Sequence, residues 1–156
     1  MSTSSPATWQ IWLDTGGTFT DCIARTPAGE IQRLKVLSSS VLRGKMVKRI
    51  NDHAVQVEMT WPVGHDLFKD FEFRIVGRSF SAKIERIDRA TNQFHLQSPL
   101  LETFEEALAE ITSNEEVPVL AARLLTATPL KNKFPPLDMR LGSTRGTNAI
   151  LERKGA

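Results

Sequence analysis

Short runs of alternating apolar and polar residues, broken at close intervals by turn residues, constrain this 156-residue chain more than any other feature. The alternation is plainest in Phe71-Glu72-Phe73-Arg74-Ile75 and in Ala82-Lys83-Ile84-Glu85-Arg86-Ile87. A period of two puts every second side chain on one face, so each run reads as a half-buried strand. Further strand signals lie at Lys45 to Ile50, Ala54 to Met59 and Phe94 to Leu96, with breaks at Asn51-Asp52, Pro62-Val63-Gly64, Gly77 and Ala90-Thr91-Asn92. Residues 41–101 are therefore expected to form an inserted all-β module, a small sheet or barrel.

The flanks differ in texture. In residues 1–40, Trp9 to Leu13, Thr18 to Arg25 and Ile31 to Leu37 read as three strands, separated by Gly16-Gly17 and Pro27-Ala28-Gly29 and closed by Ser38-Ser39-Ser40. They predict an antiparallel meander. Residues 102–156 predict a return to helices: Thr103 to Ile111 with Thr103 as N-cap, Pro118 to Leu125 with Pro118 near its start, and Thr147 to Lys154. Met139-Arg140-Leu141 reads as one more strand. The end at Gly155-Ala156, directly after a predicted helix, reads as a cut in a longer chain.

Composition narrows the partners. Lys plus Arg number 20 and Asp plus Glu 18, for a net charge of +2. In the β module, acids such as Asp52, Glu58, Asp70 and Glu72 interleave with Arg43, Lys45, Lys48 and Arg49. That mixture reads as a solvated face and gives no reason to expect nucleic acid. No apolar run approaches the ~20 residues of a membrane span, and the polar start lacks the pattern of a signal peptide. No membrane partner and a cytoplasmic location are expected. The lone Cys22 allows no internal disulfide and reads as a small core residue. His53, His65 and His95 have no metal-ligand spacing.

The first candidate site is Asp14-Thr15-Gly16-Gly17-Thr18-Phe19-Thr20-Asp21, between two predicted strands. Glycines leave backbone N–H groups uncovered, and successive N–H groups make an anion-binding concavity. Thr18 and Thr20 add hydroxyls, and Asp14 can hold a hydrated Mg²⁺ that neutralises phosphate. No Gly-Lys-Ser/Thr follows, so this is not a P-loop, and adjacent glycines before a strand are not a dinucleotide fingerprint. A capped hairpin turn is the plain alternative. The second candidate is Gly142-Ser143-Thr144-Arg145-Gly146-Thr147-Asn148 before the last predicted helix, whose N-terminus would favour an anion. A well-capped helix with a solvated Arg145 is the alternative there.

Both strings resemble a known family. The run Asp14 to Asp21 is similar to the opening of the hydantoinase A/5-oxoprolinase/acetone carboxylase group, and Leu141 to Ala156 resembles a later segment of the hydantoinase family. The two matches cover 24 residues, in the family's order. The resemblance implies an α+β fold, the N-terminal part of an actin/hexokinase-like (ribonuclease H-like) ATPase lobe carrying the β module. It implies ATP-dependent opening of a small cyclic amide, with Mg²⁺ and often K⁺. It assigns Asp14 the catalytic and metal role, and nucleotide binding to Gly16, Gly17, Thr18, Thr20, Asp21, Ser143, Thr144, Thr147 and Asn148. Members are several times longer, so the fragment alone is expected to be inactive, completed by the rest of its chain or a second hydantoinase-type subunit. The module at 41–101 departs from the family pattern. A sugar or acyl kinase lobe of the same superfamily, and a subunit-binding module, are the alternative readings.

Overall fold

The computed structural model describes residues 8–61, 67–103 and 106–144. Among them are ten strands and one helix. They form two compact units, the first made of residues up to 40, Glu116–Thr128 and the chain from Lys133, the second of Val41–Glu115 with Pro129–Asn132.

The first unit holds β1 (Trp9–Thr15), β2 (Phe19–Arg25), β3 (Ile31–Leu37), α1 (Val117–Thr126) and β10 (Leu137–Ser143). The sheet order is β10-β1-β2-β3, antiparallel among the first three strands and parallel between β1 and β10. Alternation decides the faces. Ile11, Leu13, Cys22, Ala24 and Val36 are buried on one side, and α1 contacts β2 and β3 with Leu120, Ala121, Ala122 and Leu125 buried. Pro118 sits in the first turn of α1, where its missing N–H costs nothing. The buried Arg123 in the last turn donates to Thr128 C=O at 3.4 Å and stacks 4.7 Å from the Phe134 ring, which suits a cation at a helix C-terminus.

The second unit is a closed barrel of β4 (Leu42–Asn51), β5 (Ala54–Glu58), β8 (Gln93–Leu96), β7 (Ser81–Asp88), β6 (Glu72–Ile75) and β9 (Ala107–Thr112), with β9 pairing back to β4. Closure leaves no free sheet edge. Phe71, Phe73, Phe94, Ile84, Leu96 and Ile111 are almost fully buried, and the Phe73 and Phe94 rings lie 6.3 Å apart. At Gly44 a Cβ would come within 2.9 Å of Val57 Cγ1, so β4 can approach β5 only without a side chain there.

Two expectations are corrected. The α+β actin/hexokinase-like lobe is not what forms: the described chain is mostly β, with one ten-residue helix and a closed six-stranded barrel. The helix predicted over Thr103 to Ile111 is also replaced, since Ala107–Thr112 is the strand β9. Glu and Ala favour helices, but that preference is a fraction of a kcal/mol per residue. Pairing with both β4 and β6 while burying Ala109 and Ile111 outweighs it. The helix predicted at Thr147 to Lys154 lies outside the described residues. Among the described residues, no helix is long and apolar enough to cross a membrane.

Candidate functional site

The glycine turn joins β1 to β2, and β10 runs alongside it. The parallel register pairs Asp14 with Gly142 and Thr15 with Ser143. Ser143 Oγ donates to Thr15 C=O at 3.4 Å, and Thr144 N–H donates to the same carbonyl at 3.2 Å. A Cβ built on Gly16 would lie 3.8 Å from Thr144 Oγ1. Two strings 128 residues apart in sequence are thereby neighbours in one sheet.

Within the turn the two glycines serve different ends. Gly16 N–H donates to Phe19 C=O at 2.9 Å, and a Cβ at Gly16 would meet that oxygen at 3.0 Å. Close backbone approach explains Gly16. At Gly17 a Cβ would meet nothing within 4 Å, and φ is not positive. The fold itself would accept a side chain at Gly17. Its absence keeps the space above the turn open, next to the exposed Thr18.

Asp14 and Asp21 are cross-strand partners on the face of the sheet opposite α1. Like charges directly opposite each other destabilise a sheet. Lys35 Nζ lies 3.1 Å from Asp21 Oδ1, but both are well exposed and the pair is weak. The same face exposes Trp12, Phe19 and Ile23. A Cβ on Gly142 would lie 4.0 Å from Asp14 Oδ1, an ordinary van der Waals distance. Two carboxylates, hydroxyls and backbone N–H groups form a hard-donor set that suits Mg²⁺ and phosphate.

The structure thus sets Ser143 and Thr144 beside Thr15 and Gly16, at the end of the β1–β2 hairpin that also carries Asp14, Gly17, Thr18 and Asp21. Thr20 is placed differently. It is fully buried, on the α1 side of β2, and its hydroxyl lies 3.0 Å from Ser38 Oγ. Thr147 and Asn148 lie outside the described residues. Ser38 is the residue that sequence reasoning missed: its side chain donates to Gly16 C=O at 3.0 Å and its N–H to Thr18 C=O at 2.9 Å. The signal available was a serine run after β3, facing the glycine turn across a predicted meander.

Next to the site, Cys22 is inert. Burial, and then the neighbouring Asp21 carboxylate, push its thiol up to about 12, so it carries no thiolate near neutrality. Among the described residues, no group of three or more His, Cys, Asp or Glu is placed to hold a metal by protein ligands alone. A cation at Asp14 and Asp21 would need phosphate oxygens and water to complete its shell, as Mg²⁺ commonly does. No protein-family model, curated protein or solved structure matches the chain.

Proposed function

We propose that this chain supplies a phosphate- and Mg²⁺-binding corner to an ATP-dependent cyclic amide hydrolase of the hydantoinase/5-oxoprolinase type. The observation that carries the reading is the register of β1 with β10, which sets Ser143 and Thr144 beside a glycine turn whose outer side is open. The substrate class rests on the resemblance of the Asp14–Asp21 and Leu141–Ala156 strings to that family, and the remainder of the enzyme would supply the amide site.

In this reading Asp14, with Asp21 opposite, holds the cation through its oxygens, and the Gly17 and Thr18 N–H groups with the Thr18 hydroxyl receive phosphate oxygens. Phosphate bound to Mg²⁺ would supply the activation that opening a stable amide requires. This chain's part is to bind and orient that phosphate before the reaction, where fixed dipoles act without reorganising.

Equilibrium binding of Mg–ATP to the whole 156-residue chain tests the proposal. The expected result is saturable, Mg²⁺-dependent binding, weakened about tenfold or more by Gly17→Ala, the equivalent of about 1.4 kcal/mol. Wild-type protein that binds no Mg–ATP, or a Gly17→Ala protein that binds equally well, would overturn it.

A further inference from the structure

Ser38 lies just beyond β3 and reaches back to the glycine turn twice. Its N–H donates to Thr18 C=O at 2.9 Å and its Oγ donates to Gly16 C=O at 3.0 Å. A serine hydroxyl has one proton, and that proton goes to Gly16. The 3.0 Å contact between Thr20 Oγ1 and Ser38 Oγ therefore has Thr20 as its donor. The result is a directed chain from the fully buried Thr20 hydroxyl, through Ser38, to the Gly16 carbonyl.

We infer that Ser38 is a positioning residue that fixes which end of the Gly16–Gly17 peptide dipole faces a bound phosphate, a role that rests on the phosphate reading above. The peptide is trans, so its C=O and N–H point in opposite directions. Holding the Gly16 carbonyl toward Ser38 turns the Gly17 N–H away from Ser38. Glycine imposes little on its own backbone, so the Ser38 hydroxyl adds a restraint on rotation of the Gly16–Gly17 peptide that the two glycines do not supply themselves. Rotation would present the carbonyl oxygen to an anion and replace attraction by repulsion. The tether acts before any ligand arrives, which makes it preorganisation and not a contact with phosphate.

The experiment uses the full chain, with inorganic tripolyphosphate and Mg²⁺ as the probe, and compares wild type with Ser38→Ala and Ser38→Thr. Two quantities are read: the affinity, and the ¹⁵N order parameter of the Gly17 amide without ligand. Ser38→Ala should lose about fivefold in affinity, the fold-change of one lost hydrogen bond. Its Gly17 order parameter should drop to below about 0.6, the flexible range. Ser38→Thr, which keeps the hydroxyl, should restore both. A purely structural role would lower thermal stability without moving the Gly17 order parameter. If Ser38→Ala does not fold, Ser38→Cys, close in size but a weak donor, carries the same comparison. Variants that bind like the wild type, or a Gly17 amide that stays rigid without the hydroxyl, would overturn the positioning role. Wild-type protein that fails to bind the probe would instead overturn the phosphate reading, and this role with it.

Discussion

In the barrel Glu72 accepts hydrogen bonds from Arg74 at 2.8 Å and Asn114 at 2.7 Å, and Asp70 meets Lys131 at 2.7 Å, whereas in the sheet Asp14 faces Asp21 across neighbouring strands. The aromatic rings differ in the same way. The barrel buries Phe71, Phe73 and Phe94 almost completely, but the sheet leaves Trp12, Phe19 and Ile23 exposed on the face that carries the two aspartates. The barrel's charges and rings satisfy each other. The sheet keeps two like charges adjacent, an arrangement that lowers stability and that a bound cation would relieve. Where a fold keeps such groups unbalanced is where binding is expected, and here that place adjoins the glycine turn.

The largest expected effect tests the barrel side of this contrast. Phe73→Ala should cost about 3–5 kcal/mol, because Phe73 is fully buried against Phe94. Urea unfolding, followed by exchange of the β7 and β8 amides, measures it. A cost below about 1 kcal/mol would show that the barrel interior is not the close-packed core described.

The two glycines of the turn sharpen the comparison on the other side. Gly16→Ala should destabilise the sheet by about 1–3 kcal/mol, since the new Cβ would press on the Phe19 carbonyl. Gly17→Ala should change thermal stability by less than about 0.5 kcal/mol while weakening phosphate binding. Equal destabilisation by both would mean that Gly17 serves the fold and not a ligand.

Acid should act on the barrel. Hydrogen bonds from Arg74, then Asn114, hold the Glu72 carboxyl at about 2, against 4.5 ordinarily, and Lys131 similarly lowers Asp70. The folded state thus binds these protons less tightly than the unfolded chain does. The stability they confer is complete above about pH 4.5 and is lost as pH falls toward 2. Solvent screening at this partly exposed site keeps the Glu72 contribution to about 1 kcal/mol. Glu72→Gln should flatten the acid limb of a stability–pH curve, and an unchanged limb would remove Glu72 from the explanation.

Asp14→Asn should give the smallest change in stability and with the opposite sign. Removing one of two facing carboxylates should stabilise the ligand-free sheet by about 0.2–1 kcal/mol, while Mg²⁺-dependent binding falls. Loss of both stability and binding would indicate a structural carboxylate.

Much of this contrast was legible in the residues. Every strand read from alternation in Phe71 to Ile75 and Ala82 to Ile87 forms, and so do the three strands around Gly16-Gly17. Alternation is visible because each of those runs has one wet and one buried face. Residues 107–112 hid their strand character, because Ala and Glu signal helix locally and only pairing with β4 and β6 makes them extended. The fold class failed for a related reason: the strings at Asp14 and Leu141 carry chemistry, but they do not specify the barrel that makes up so much of the described chain. At the site, Asp14, Gly17 and Thr18 could be picked out by residue type. Ser38 could not, since a serine's partner depends on a hairpin register that the local sequence does not state. The approach of Ser143 to Thr15 likewise comes from a parallel pairing that no short-range pattern encodes.

The most direct test is an amide NMR titration of the intact chain with Mg²⁺ and tripolyphosphate. The Gly17 and Thr18 resonances should shift in a saturable, Mg²⁺-dependent way, with smaller changes at Ser143 and Thr144 and none in β7 and β8. Shifts confined to the barrel, or no shift at Gly17 at saturating probe, would contradict a phosphate site at the glycine turn.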